Sequence, residues 1–302
     1  MPELPEVETI RLGLQNKIIG LTIKQVELLT PKSFQGNPKD ITGKKIVGLW
    51  RRAKILGVVL ESDFTMLINL KMSGQLVYDS GKRPALPDGS RGRFIGGHPT
   101  PDMELQMPNR STRVIFTFDD PLRPRSETSC SKLYFNDQRR FGWVKIVDSG
   151  QGIVDSLLNN LGPEPLEKEF TWQILRQNLL RHKTLPIKVA LLDQSIVSGI
   201  GNIYASEACF NAKINPKTSI SNLSDKQFKD LHKGILKALQ DGIKHGGSTR
   251  TNFVDSEGRR GYFLDYAFVY WRDKEPCRVC NTTIEKIQLR GRGTYYCPSC
   301  QK

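Results

Sequence analysis

The residues best suited to chemistry stand second and third. The chain opens MPELPEVETIR, and removal of Met1 would leave Pro2 as a free secondary amine with the Glu3 carboxyl beside it. A free α-amino group titrates at roughly 7.7–8, so a useful fraction is uncharged near neutral pH and can attack an electrophilic carbon. A lysine ammonium needs a strong environmental shift to reach the same state. The plain alternative is structural: Pro5 suits the first turn of a helix, Glu6 favours its start, and Val7, Ile10 and Leu14 lie at helical spacing. Taken alone, the N-terminal pair does not separate the two readings.

A second chemical group closes the chain. Four of the six cysteines fall in the last 26 residues, as Cys277-x2-Cys280, sixteen intervening residues, and Cys297-x2-Cys300. Two such knuckles can set four thiolates around one zinc ion. Disulfides are the alternative, disfavoured in a chain with no secretory signature. Four sulfur ligands leave no open position, so this zinc organises the fold and does not activate water. Between the knuckles, Ile284, Ile287 and Leu289, then Thr294, Tyr295 and Tyr296, predict a two-stranded hairpin turning at Arg290-Gly291-Arg292-Gly293. Arginines on a metal-stapled ribbon suit a phosphate or a groove, with a solvated basic turn as the alternative. Cys130 and Cys209 are isolated and take no role.

The bulk composition narrows the partner. The chain has 302 residues, 38% hydrophobic and 25% charged, enough for two globular domains. Its formal net charge of +14 favours a polyanion, nucleic acid ahead of an anionic membrane surface. The longest apolar run, Ile55 to Leu60, falls far short of the roughly 18 residues of a spanning helix.

Weaker motifs lie between these ends. SGIGNIYASE (198–207) puts glycines and Asn202 at a helix start, where backbone amides could receive a phosphate. QRRFGW (138–143) sets Arg139 and Arg140 beside Phe141, and KMSG (71–74) puts Met72 in a turn. An arginine, a phenylalanine and a methionine on loops can fill the space left by an extruded base; for Met72 and Phe141 a place in the core is the alternative. RRAK (51–54) is a small cationic cluster ending in Lys54.

These residues need a scaffold. Residues 21–78 alternate short apolar runs with turn residues, continued at 114–118, 132–135 and 143–147, and predict strands, hence a β-sandwich or barrel entered by one N-terminal helix. Residues 79–113 and 119–131 lack either periodicity and read as long surface loops. From Gly150 the spacing turns helical over Phe170–Arg181 and Pro186–Asp193. Ser224 and Gln227 form a capping box before a long amphipathic helix that Gly246-Gly247 ends. The fold class is α+β, with domains expected at 1–149, 150–262 and 263–302.

Taken in order, MPELPEVET, RRAK, LKMSG, QRRFG, LGPEPL, GIGNIYASE, GGST, EPCRVC and RGRGTYYCPSCQK resemble the formamidopyrimidine-DNA glycosylases, bacterial oxidised-purine repair enzymes, over nearly the whole chain. The sister endonuclease-eight family opens PEGPE, against Pro2-Glu3-Leu4-Pro5-Glu6 here. The resemblance implies a β-sandwich, a helix–two-turn–helix domain and a zinc finger, with duplex DNA carrying oxidised purines or abasic sites as partner. It further implies a monomer working in the cytoplasm on the nucleoid. Pro2 would be the nucleophile at the sugar C1′ and Glu3 the acid/base, with Glu6 nearby. Lys54, Asn202 and Arg292 would grip phosphates around the lesion. Met72, Arg139 and Phe141 would enter the vacated stack, and residues 246–263 would close over the everted base. Three positions depart from the family pattern: Asn69 and Ser111 stand where histidines are usual, and Gln138 where proline is common. An oxidised-pyrimidine glycosylase and a noncatalytic zinc-ribbon DNA-binding protein are the rival readings.

Overall fold

Helix α1 (Leu4–Ile18) forms where Pro5 and the apolar spacing place it, and Val7, Ile10, Leu14 and Ile18 make one buried stripe along it. The computed structural model describes residues 1–81, 93–97, 106–119, 130–148, 158–247 and 263–302. These fall into two compact units. One holds Met1, Pro2 and residues 6–148; the other holds Glu3–Pro5, residues 159–247 and residues 263–302.

The first unit is a β-sandwich. Its strands are β1 (Thr22–Leu28), β2 (Phe34–Gln35), β3 (Ile46–Arg52), β4 (Ile55–Leu60), β5 (Phe64–Asn69), β6 (Gly74–Asp79), β7 (Arg93–Gly97), β8 (Thr112–Asp119), β9 (Ser131–Asp137) and β10 (Trp143–Asp148). One sheet runs β1-β8-β9-β6-β7 and the other β2-β10-β5-β4-β3. Every pairing is antiparallel except the short β2–β10 contact. The stripe of α1 and the inner faces of both sheets share a single core, with Leu56, Val58 and Ile68 from one sheet and Val114, Phe116 and Phe135 from the other. Burying apolar side chains at about 25 cal/mol per Å2 is what holds these layers together.

The loop expected over 79–113 is not loop throughout. Residues 93–97 form edge strand β7, antiparallel to β6. Its sequence, RFIGG, carries only a weak strand signal because two glycines end it. Gly96 is there for packing, since a Cβ on it would stand 2.5 Å from Ile10 Cγ1, and Gly13 of α1 answers it, where a Cβ would stand 2.2 Å from Phe94 Cε2. Helix and edge strand therefore meet backbone to side chain. The remaining stretches of the two expected loops, 82–92, 98–105 and 120–129, lie outside the described residues, as do the 149–157 boundary and most of the 246–263 segment.

The second unit is helical. It contains α2 (Trp172–Leu179), α3 (Ile187–Leu191), α4 (Asn202–Asn211), α5 (Asp225–Lys244) and α6 (Phe263–Tyr266). Thr171 caps α2 by accepting the Ile174 amide at 3.4 Å, so that helix starts two residues after the expected Phe170. The Ser224–Gln227 capping box is present on α5, and Gly246 and Gly247 follow its end with positive φ. Tyr204 to Phe210 on α4 are buried on every side, the mark of a helix at the centre of a core. The hairpin β11 (Glu285–Leu289) and β12 (Arg292–Tyr296) turns at Arg290–Gly291, both with positive φ. Its core, Val269, Cys277, Ile284, Tyr295 and Cys297, continues onto Phe210 of α4, so the finger is packed on the helices. Among the described residues no helix is long and apolar enough to cross a membrane.

The α1–β7 approach yields a stability test. Gly13→Leu forces a side chain into the Phe94 ring and is expected to cost about 1–3 kcal/mol or more of sandwich stability, read by urea denaturation. An unchanged midpoint would contradict the close packing.

Candidate active site and zinc centre

Glu3 is buried, and three backbone amides hold its carboxylate. The Gly201 and Ile203 amides donate at 2.6 and 2.9 Å, and the Tyr204 amide at 3.4 Å. These are the unsatisfied donors at the start of α4, where the helix dipole also favours an anion. SGIGN thus does begin a helix and does bind an anion, but that anion is the carboxylate of Glu3. For the amides of Gly201, Ile203 and Tyr204, the expected phosphate is thus replaced by Glu3. The spacing of SGIGN shows an anion site; only the fold shows that a residue from the other end of the sequence fills it. A Cβ at Gly201 would stand 2.4 Å from Glu3 Cδ, and one at Gly199, whose φ is +83°, 2.7 Å from Leu4 Cδ1. The Leu4 amide also donates to the Gly199 carbonyl at 3.0 Å. Both glycines are there to seat the N-terminal segment, which carries Pro2 immediately before Glu3.

Asn202 is tied to the finger. Its Nδ2 donates to the Gly293 carbonyl at 3.0 Å and lies 3.5 Å from the Tyr270 hydroxyl. Its Oδ1 accepts from Lys188 Nζ at 2.6 Å, and the same ammonium reaches the Gly293 carbonyl at 3.0 Å and Thr294 Oγ1 at 2.8 Å. Lys188 is fully buried and its pKa falls to about 8, because burial penalises the charged form and Arg292 repels it, outweighing attraction from Cys209 and Glu3. Arg292, beside Gly293, is exposed at the start of β12. Lys188 therefore joins Asn202 to the strand that carries Arg292.

The four cysteines meet. Sγ separations are 4.0 Å for Cys277–Cys300 and 3.4 Å for Cys280–Cys297 and Cys280–Cys300, with all four sulfurs within 4.8 Å of one another. Zn–S bonds of about 2.3 Å require tetrahedral edges near 3.8 Å, so the four fit one zinc ion and leave it no open position. Hydrogen bonds from the Thr282 hydroxyl and amide draw the Cys280 thiol down to about 6, toward the thiolate that a metal needs.

In the sandwich, Met72, Arg139 and Phe141 come together. Arg139 donates to Met72 Sδ at 3.4 Å, and its guanidinium lies 4.9 Å from the Phe141 ring centre. Met72 is 37% and Phe141 53% exposed, so neither is core. Buried Asp137 organises their loops: its carboxylate accepts the Ser73 hydroxyl, the Arg139 amide at 3.1 Å and the Gly142 amide at 2.6 Å. Arg113 fixes the Asp137 carbonyl at 2.8 Å. Asn69 accepts the amide of Lys71, which has φ +49° and leads into Met72. Arg140 also has positive φ and is exposed beside them. Of the RRAK cluster, Arg51 is used structurally. It pairs with Glu8 at 3.0 Å, and Arg11 approaches the same carboxylate at 2.7 Å. Burial raises the Glu8 pKa, but the two guanidiniums outweigh it and hold the carboxyl below its ordinary value. Lys54 sits in the two-residue turn between β3 and β4, beside Ala53 with φ +52°. Glu6 is buried in the first turn of α1.

Comparison with known proteins agrees with this architecture. Residues 1–144 match the formamidopyrimidine-DNA glycosylase N-terminal domain, 161–254 the H2TH domain of those enzymes, and 274–302 the zinc finger found in FPG and IleRS. Formamidopyrimidine-DNA glycosylases of Pelotomaculum thermopropionicum and Listeria monocytogenes are 37% and 36% identical, covering 100% of this chain and 99% and 100% of theirs. The chain belongs to the formamidopyrimidine-DNA glycosylase family. Two solved structures of the family cover 100% of both chains at 31% identity. A mutant FPG of Lactococcus lactis with Fapy-dG containing DNA aligns at TM-score 0.82, and MutM with carbocyclic 8-oxo-G containing DNA at 0.80.

Sequence reasoning did not single out Lys188, Asp137 or Tyr270. The signal for Lys188 was a lone cation in an otherwise apolar helix, IKVAL, which reads as a solvated face until the fold buries it. Family membership makes the zinc structural, and chelation is expected to unfold β11–β12 and free Asn202, seen as lost amide protection there. Gly201→Ala should push Glu3 off its amides: excision falls at least tenfold while duplex binding survives. Equal excision would remove the amide seat from the chemistry. Lys188 has a lower pKa folded than in a free chain, so stability carried by this group is gained as pH rises from about 8 toward 10.5. The difference in unfolding free energy between wild type and Lys188→Met should grow over that window and stay flat below it.

Proposed function

We propose that this chain excises oxidised purines, 8-oxoguanine and formamidopyrimidines, from duplex DNA and then cuts the strand at the resulting abasic site. The observation that carries the reading is the Glu3 carboxylate held rigidly on the α4 amides, one residue from Pro2. The uncharged Pro2 nitrogen attacks C1′ of the damaged nucleotide, and the bond from C1′ to the base breaks with its electrons leaving on the base. Glu3 takes the proton that the Pro2 nitrogen loses on bonding C1′ and passes it to the sugar ring oxygen as the ring C1′–O bond breaks, leaving the C1′–nitrogen adduct as an iminium. The iminium acidifies the hydrogen on C2′; its removal expels the 3′ phosphate, and a second elimination expels the 5′ phosphate.

The other residues bind and bend. Lys54, Asn202 and Arg292 take backbone phosphates around the lesion, and Lys188 keeps Asn202 and the finger strand in step for that purpose. Met72, Arg139 and Phe141 fill the vacated stack, with Arg139 facing the orphaned base and Arg140 on nearby phosphates. Glu6 is a further carboxylate near the nucleophile. Residues 1–149 supply the catalytic sandwich, 150–262 the helical clamp and 263–302 the finger. The protein acts as a monomer in the cytoplasm, on the nucleoid.

Borohydride should trap a covalent adduct between the protein and an 8-oxoguanine:cytosine duplex, and Pro2→Gly or retained Met1 should abolish it. Binding without any adduct would favour a noncatalytic module, and trapping only on thymine glycol would favour the oxidised-pyrimidine enzymes. Glu3→Gln puts an NH2 against a backbone donor, so it should lose excision and also about 1–3 kcal/mol of stability. Arg292→Ala should weaken duplex binding and lower its salt slope by about one phosphate contact.

A further inference from the structure

Trp271 has no part in the sites described so far. Its φ is +59°, the left-handed region that glycine occupies freely and that a bulky side chain disfavours. Such a conformation persists when neighbours over-determine it, and here they do. On one side, fully buried Glu207 accepts the amides of Phe268, Val269 and Tyr270 at 2.8, 3.0 and 2.9 Å. On the other, Arg272 donates to the carbonyls of Phe268 and Pro276 at 2.9 and 2.8 Å and pairs with Glu275 at 2.8 Å. The residue between is locked into a shape that glycine would serve without strain. Burial does not account for the largest side chain there either, because the indole is 47% exposed.

Its surroundings explain the choice. The indole stacks on Tyr270, with ring centres 5.7 Å apart and planes 20° from parallel. The Tyr270 hydroxyl lies 3.5 Å from Asn202 Nδ2, and the Tyr270 ring meets Tyr295 of β12 edge-on at 5.1 Å. Trp271 therefore extends, by one exposed ring, the set that joins Asn202 to the arginine-bearing hairpin. A rigid exposed aromatic next to cationic and amide donors is how proteins hold a nucleotide by stacking while neighbours take its phosphates.

We propose that Trp271 is a DNA contact, its indole packing on the base or deoxyribose face of a nucleotide in the strand gripped by Asn202 and Arg292. The inference rests on the DNA-repair reading above. It adds a stacking component to a grip otherwise made of one amide and one guanidinium, and it gives the strained backbone a purpose. The test measures affinity for an 8-oxoguanine:cytosine duplex, salt dependence and thermal midpoint together for wild type, Trp271→Gly and Trp271→Phe. Trp271→Gly should weaken binding roughly tenfold with an unchanged salt slope, while its thermal midpoint holds or rises because the strain is relieved. Trp271→Phe should recover most of the affinity. Unchanged affinity in Trp271→Gly, or a loss matched by a falling midpoint, would overturn the contact. Borohydride trapping of the wild type is run in parallel: a missing adduct there defeats the glycosylase chemistry, whereas the stacking contact is read from affinity alone, with an undamaged duplex as second probe.

Discussion

A carboxylate from the third residue caps a helix that begins two hundred residues later, and much of the second unit is arranged so that it can. Glu3 satisfies three amides at the start of α4, and Gly199 and Gly201 lack side chains where the N-terminal segment comes down on them. A buried carboxylate without such donors would carry a desolvation cost of several kcal/mol. With them it is a fixed feature of the core, and the chain end next to it inherits that fixity. An N-terminus is ordinarily the most mobile part of a protein; this one is tied down at its third residue.

The second consequence concerns how α4 serves two purposes. The amides of Gly201, Ile203 and Tyr204 are taken by Glu3, while Asn202 between them meets Lys188 and the finger through its side chain. That side chain is bonded on both faces, to Lys188 and to the finger carbonyl of Gly293. Lys188 is the costly member, a buried ammonium with neutral acceptors around it and its pKa lowered to about 8. Burying a cation in this way contributes little to stability. What it supplies is registry: helix α3, helix α4 and strand β12 are brought to one atom. The four-cysteine site stiffens the same strand from its far end, so a structural metal sets where Arg292 stands.

The sandwich uses the same economy with different residues. Asp137, buried, gathers Ser73, the Arg139 amide and the Gly142 amide, and so presents Met72, Arg139 and Phe141 as an assembled group on exposed loops. Met72 and Phe141 are thereby left in solvent, an arrangement that packing of the sandwich core does not require. Asn69 and Gln138 depart from the family pattern without disturbing this arrangement: Asn69 still fixes the turn before Met72, and Gln138 lies exposed between the two ordered residues.

Local patterns made much of this legible from residues alone. The α1 stripe, most of the strands, the Ser224 capping box and the paired CxxC knuckles are written in short spacings, because periodicity, capping and tetrahedral ligation act over a few residues. The amine chemistry open to Pro2 was legible in its position, and the family resemblance added the sugar carbon it would attack and an acid/base role for Glu3. Contacts between distant segments were invisible. The taking of the α4 amides by Glu3 rather than phosphate, the edge strand hidden in RFIGG, the burial of Lys188 and the structural use of Arg51 each depend on a partner dozens to hundreds of residues away. Only the tertiary packing brings such partners together, and a backbone amide or a lysine reads the same in sequence whether water or a carboxylate lies opposite it.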